Sequence, residues 1–278
     1  MIKNYDIFSD KNITLLGSKM VVLEDGIKSY YDFPYDNYKD IQNFVKTLNP
    51  KKNTTNEDID KNFEENAVTY PISLTFDWCI KEYGRIPTCE ELVNMYIELS
   101  LEKNPDGTYT EKKCYGSTFK VTRKAVESRI YKAYFSFIRE IMTYVYLRNN
   151  LSRYGAIVFI NRRDDYKERM DIGIKYNNIL YIIDTSVKTE RSDNFEERKI
   201  NGTRRNLKES EEFLIKKYNC IGCCRILAKA NMKYGGNTYN CGQLKMYKDD
   251  FLNSICTYIL NNNKYGVSIN ADDLLTTY

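Results

Sequence analysis

The stretch from Val126 to Lys188 constrains this chain of 278 residues more than any other. Val126, Ile130, Tyr134, Phe137, Ile141, Val145 and Leu147 recur every three to four residues. That spacing places them on one side of a helix, expected over about 122–150 and ending at Asn149-Asn150. Short apolar runs follow. Ala156 to Ile160 reads as a buried strand, Met170 to Tyr176 as a second, and Ile179 to Asp184, running on through Lys188, as a third. Arg162-Arg163-Asp164-Asp165 reads as a turn, and Asn177-Asn178 as a hairpin turn. A charged helix at about 204–218 and a fourth apolar strand from Cys220 to Leu227 complete the series, with one more helix at about 248–262. The predicted fold is α+β: a mixed sheet core in the order helix-β-β-β-helix-β.

The first 118 residues read as a mainly helical part, and residues 119–278 as the α/β core. Two short strands are expected, Ile13 to Leu16 and Met20 to Leu23, with a turn at Asp25-Gly26. Residues 49–66 are almost wholly polar and read as an exposed loop or a domain boundary. Residues 71–100 read as two helices separated at Gly84. Thr88 and Glu91 form a capping box, in which the hydroxyl takes one orphan N–H and the carboxylate reaches back to another. Two helices joined so tightly are either a DNA-reading helix-turn-helix or a structural hairpin. A polar hairpin-like connection is expected around Asn104-Pro105-Asp106-Gly107.

Histidine is absent. No Ser-His-Asp triad, Cys-His dyad, histidine base or histidine-ligated zinc can exist, so chemistry falls to carboxylates, lysine, tyrosine, serine, cysteine or an added metal. Walker, dinucleotide-binding and nucleophile-elbow motifs are missing as well. Lys and Arg number 42 against 38 Asp and Glu, a net charge of +4, which permits a polyanionic partner without demanding one. The eight cysteines read as reduced thiols. Cys220, Cys223, Cys224 and Cys241 suggest zinc superficially, but the first three fall in an apolar strand, where Cys behaves as a small hydrophobe. No apolar run reaches the roughly 18 residues that span a bilayer, and the start lacks a signal-peptide pattern. A soluble, cytoplasmic protein is expected.

Asp171 at the second strand, Asp184 on the third and Lys188 beyond it, within helix-β-β-β-helix-β, resemble the PD-(D/E)xK nuclease-like superfamily. The resemblance covers roughly residues 122–230. Lys188 follows Asp184 by four residues rather than two, and Ser186 stands where the pattern has its lysine. Alternation puts Ile182, Asp184, Ser186 and Lys188 on one strand face, with Asp184 and Lys188 about 13 Å apart at full extension.

The resemblance implies a restriction-endonuclease-like fold and metal-dependent hydrolysis of DNA phosphodiester bonds. Asp171 and Asp184 would hold Mg²⁺, or Mn²⁺ in its place, and Lys188 would orient water or stabilise charge. Glu140 on the preceding helix is a further candidate ligand, or else a solvated helix glutamate. Arg85, Arg123, Lys124, Arg191 and Lys199 are candidate phosphate contacts. A homodimer is a plausible partner state. The alternative is a non-catalytic DNA-binding replication or regulatory protein on a decayed nuclease scaffold.

Overall fold

A strand that is apolar on both faces needs cover on both. Leu180-Tyr181-Ile182-Ile183 is such a strand, and the protein is built around it. The computed structural model describes residues 14–24, 27–50, 72–111, 120–187, 207–230 and 236–275. Along these residues the elements are β1 (Thr14–Leu16), β2 (Lys19–Glu24), β3 (Ile27–Asp32), α1 (Tyr38–Thr47), α2 (Ile72–Tyr83), α3 (Cys89–Ser100), β4 (Leu101–Lys103), β5 (Tyr109–Glu111) and β6 (Lys120–Val121). Then come α4 (Arg123–Leu151), β7 (Ile157–Asn161), α5 (Arg162–Glu168), β8 (Ile172–Tyr176), β9 (Ile179–Val187), α6 (Leu207–Lys217) and β10 (Gly222–Ala230). The last are β11 (Thr238–Cys241), β12 (Leu244–Tyr247), α7 (Asp249–Asn261), β13 (Val267–Asn270) and α8 (Ala271–Leu274).

The main sheet has eight strands in the order β13-β10-β9-β8-β7-β1-β2-β3. β7, β8 and β9 form an antiparallel meander, whereas β10 runs parallel to β9 and β13 parallel to β10. A parallel neighbour requires a crossover, and α6 lies on it. Alternation along β9 then sorts the layers. Ile179, Tyr181 and Ile183 join the main core with Ile138, Ile141 and Val145 of α4 and Phe251 and Ile255 of α7. Leu180 and Ile182 join Phe159, Met170, Cys223 and Leu214 of α6 in a smaller cluster on the opposite face.

Local chemistry sets the ends of these elements. Asn177 and Asn178 both take positive φ, 49° and 61°, as a tight turn between twisted strands requires. Thr88 caps α3, with Glu91 bonded back to its N–H at 2.7 Å. α2 stops at Gly84, whose φ is 61°. α2 and α3 pack together and on α4, and six apolar residues of α2, from Ile72 to Ile80, are buried.

Two expectations are revised. Arg162 to Asp165 opens a helix rather than a turn, because the Asn161 side chain accepts the Asp164 N–H at 3.1 Å and starts α5. The N-terminal part, although α1, α2 and α3 hold more of its described residues than its strands do, is not set apart from the core, since β1, β2 and β3 extend the main sheet. The sheet also crosses the expected division near residue 118, with Thr14 paired to Asn161 and Leu16 to Phe159. The polar stretch 51–66 and the Asp25-Gly26 turn lie outside the described residues. Among the described residues, no helix is long and apolar enough to cross a membrane.

β8 lies between β7 and β9 with no room to spare beside Gly173. A Cβ on Gly173 would come 2.4 Å from the Phe159 ring and 3.0 Å from Met170 Sδ. Gly173→Ala should therefore cost about 1–3 kcal/mol by overpacking, read as a lower urea midpoint with unchanged slope.

Candidate functional site

The most heavily charged buried position belongs to Arg162, the first residue of α5 and 2 % exposed. Its Nε and Nη2 donate to the two oxygens of Asp77 on α2, at 2.6 and 3.0 Å. Its Nη1 donates to Glu140 Oε1 on α4 and, at 3.3 Å, to Asp165 Oδ2 one turn along α5. Three helices thus meet on one guanidinium through carboxylates. A planar fork with five donors suits such convergence better than a lysine would. Burial works against the charge of Arg162, but Asp77 and Glu140 more than offset it, so the guanidinium stays protonated.

Asp171, immediately before β8, adds a fourth carboxylate within electrostatic reach of Glu140 and Asp165. Its Oδ2 accepts both the backbone N–H and the hydroxyl of Thr185, each at 2.7 Å. The reason is topological: β8 begins at Ile172, while β9 runs on past Ile183, its last partner. The Asp171 carboxylate takes up an N–H that the β8 ladder no longer reaches. Four acids around one cation leave a surplus of negative charge. Burial pushes the Glu140 carboxyl well above the usual range, and Asp165 and Asp171 push the same way, while Arg162 opposes them. Asp165 is pushed up to about 7, by burial first and then by Asp171.

Asp184 does not join this group. It shares its strand face with Ile182, the face that packs toward α6. There it lies 4.0 Å from Arg225 of β10, whose Nε donates to Glu211 of α6 at 3.1 Å. The structure therefore brings Glu140 and Asp171 together and turns Asp184 to the other side of the sheet. Lys188, Arg191 and Lys199 lie outside the described residues.

The remaining basic candidates are mostly engaged. Arg85 holds Glu91 with two bonds, at 2.6 and 2.8 Å, and those hydrogen bonds hold the Glu91 carboxyl down to about 2. Arg123 donates to Glu127 at 2.8 Å and to Asn94 at 2.6 Å. Lys124 is exposed on α4. A cavity of about 400 Å³ between α3 and α4 is lined by Arg123, Glu127, Cys89, Tyr131 and Tyr134, and includes none of the residues around Arg162. Cys223 and Cys224 are buried within β10.

Asp77, Arg162, Asp165 and Thr185 escaped the sequence reading. Two of them carried a signal. Asp77 is an acid inside the apolar run from Ile72 to Ile80, and Arg162 is a charge directly after a wholly apolar strand. Both placements imply a buried partner.

Mg²⁺ takes oxygen ligands, keeps several waters and usually binds one or two carboxylates rather than an all-protein cage. Glu140 and Asp171 offer hard oxygen donors in surplus over the cationic charge of Arg162, so this donor set fits such an ion. A caged ion does not fit, because among the described residues no three Cys, Asp or Glu are placed to hold one metal ion together.

No protein-family model, no curated protein and no solved structure matches the chain.

Asp165 gives the site a pH signature. A carboxyl whose folded pKa lies above its unfolded value binds more protons in the folded state, so stability falls as pH rises from about 4 to about 7. Asp165→Asn should relieve that loss. The variant should gain thermal stability over the parent at pH 8, and the gain should vanish below pH 4.

Proposed function

We propose that the protein is a nuclease-like enzyme that hydrolyses DNA phosphodiester bonds with a divalent metal. The observation that carries this reading is that Glu140 on α4 lies within electrostatic reach of Asp171 at the head of β8, in a core that runs α4-β7-α5-β8-β9-α6-β10. The resemblance to the PD-(D/E)xK superfamily puts one strand acid at Asp171 and a further glutamate at Glu140; it puts its other strand acid at Asp184, and its helix-β-β-β-helix-β order lacks the short α5 found here between β7 and β8.

Glu140 and Asp171 would hold Mg²⁺ or Mn²⁺. The ion supplies polarisation of the phosphate and a lowered pKa for an attacking water. The rest follows from the chain's own residues. Thr185 fixes Asp171 through two bonds to one oxygen, leaving the other oriented. Arg162, clamped by Asp77, aims Glu140. Asp165, pushed up to about 7, is matched to accepting a proton near neutral pH. Asp184, facing Arg225, has no part in metal binding here.

A second reading has its own support. Arg162 fills the middle of the carboxylate group and already supplies a cation there. A scaffold stabilised in that way binds DNA without cutting it, as a replication or regulatory factor would.

Incubation with supercoiled plasmid in Mg²⁺, Mn²⁺ or EDTA separates the two. The first reading predicts metal-dependent cleavage, reduced about 100-fold or more in Asp171→Ala and Glu140→Gln. Asp184→Ala should keep its activity within about threefold. No cleavage with either metal, together with a salt-sensitive mobility shift, would transfer the assignment to the binding protein.

A further inference from the structure

Among the described residues the sheet ends at β13, and the chemistry of that edge points to a second copy of the chain. β13 carries Val267, Ser268, Ile269 and Asn270. It pairs with β10 on one side, and among the described residues no strand pairs with the other. Sheet edges are usually blunted by lysine, proline or an inward charge. This strand has none of them. Apolar side chains gather beside it: Ile221 is 63 % exposed, Tyr265 52 % and Val267 38 %. Tyr265 packs against the start of β10, where a Cβ on Gly222 would come 2.3 Å from its ring. The edge is therefore backed by a packed apolar rim.

Charge selects the partner. Exposed Lys264 precedes the strand, and Asp272 and Asp273 follow it on α8. When two copies of such a strand pair antiparallel, the leading end of each meets the trailing end of the other. Lys264 of each copy then lies alongside Asp272 and Asp273 of its partner. A parallel pairing would set like charges together and would not close. The antiparallel arrangement is two-fold and self-complementary, as a closed homodimer requires.

We propose that β13 is a dimerisation edge, at which two chains join their sheets antiparallel into one. The proposal does not depend on the activity proposed above. Four residues of strand and a small apolar rim make a modest interface, so association on the order of micromolar is expected.

Sedimentation of the full chain from about 1 to about 100 µM tests it. The mass should rise toward twice that of one chain. Ser268, exposed at the middle of the strand, comes close to its own copy. Ser268→Glu should therefore set like charges together and raise the dissociation constant about tenfold or more. Lys264→Glu should weaken the dimer, and adding Asp273→Lys should restore it. Circular dichroism would verify that each variant is folded. A chain that stays monomeric throughout, or a dimer indifferent to both Ser268→Glu and the charge reversal, would overturn the proposal.

Discussion

Burying one guanidinium decides much of this structure. A cation as enclosed as Arg162 is tolerable only when anions and hydrogen bonds replace the water it has lost, and breaking such an arrangement costs about 3–5 kcal/mol. Asp77, Glu140 and Asp165 provide the replacement, from three different helices. The requirement is geometric as well as electrostatic. α2, α4 and α5 must approach at positions and angles that let their carboxylates reach one planar fork. A second buried knot works alongside it: Asp164 accepts Lys217 Nζ at 2.6 Å and the Tyr218 hydroxyl, tying α5 to the end of α6. Successive residues of one short helix thus anchor to opposite layers of the protein.

Much of the central fold was legible because its signals are local. The periodic apolar residues of α4, the Asn177-Asn178 turn and the Thr88–Glu91 box each act within a few residues, and each produced the expected element. What escaped was set by distant contacts. α1 is short, and β11 and β12 take their place by folding against α1 and α4; Gly242 approaches so closely that a Cβ would lie 2.8 Å from the Lys46 carbonyl oxygen. α5 resembles a turn in composition and becomes a helix through the cap from Asn161.

The site was half legible for a related reason. Alternation along β9 correctly groups Asp184 with Ile182. It cannot say which helix that face looks toward, because Leu180, Tyr181, Ile182 and Ile183 are apolar on both faces and carry no polarity contrast. The position of Thr185 beside Asp171 depends on β8 being shorter than β9, a difference fixed by the cap that opens α5 and the residues that end it. Basic residues were overread for the opposite reason. Arg85 and Arg123 look available in sequence, but acids one or two turns away along the chain neutralise them.

The clamp on Arg162 lies 85 residues upstream of it. A fragment starting at residue 119 would retain all of β7 to β10 and look like a self-sufficient sheet. It would also bury a cation stripped of its bidentate anion and leave β7 without β1 along one margin. Connectivity and compactness part company here. The segment from α4 to β10 would lose an anion and a sheet neighbour if excised, and an N-terminal region that reads as an appendage supplies Asp77, one of the three carboxylates bonded to Arg162.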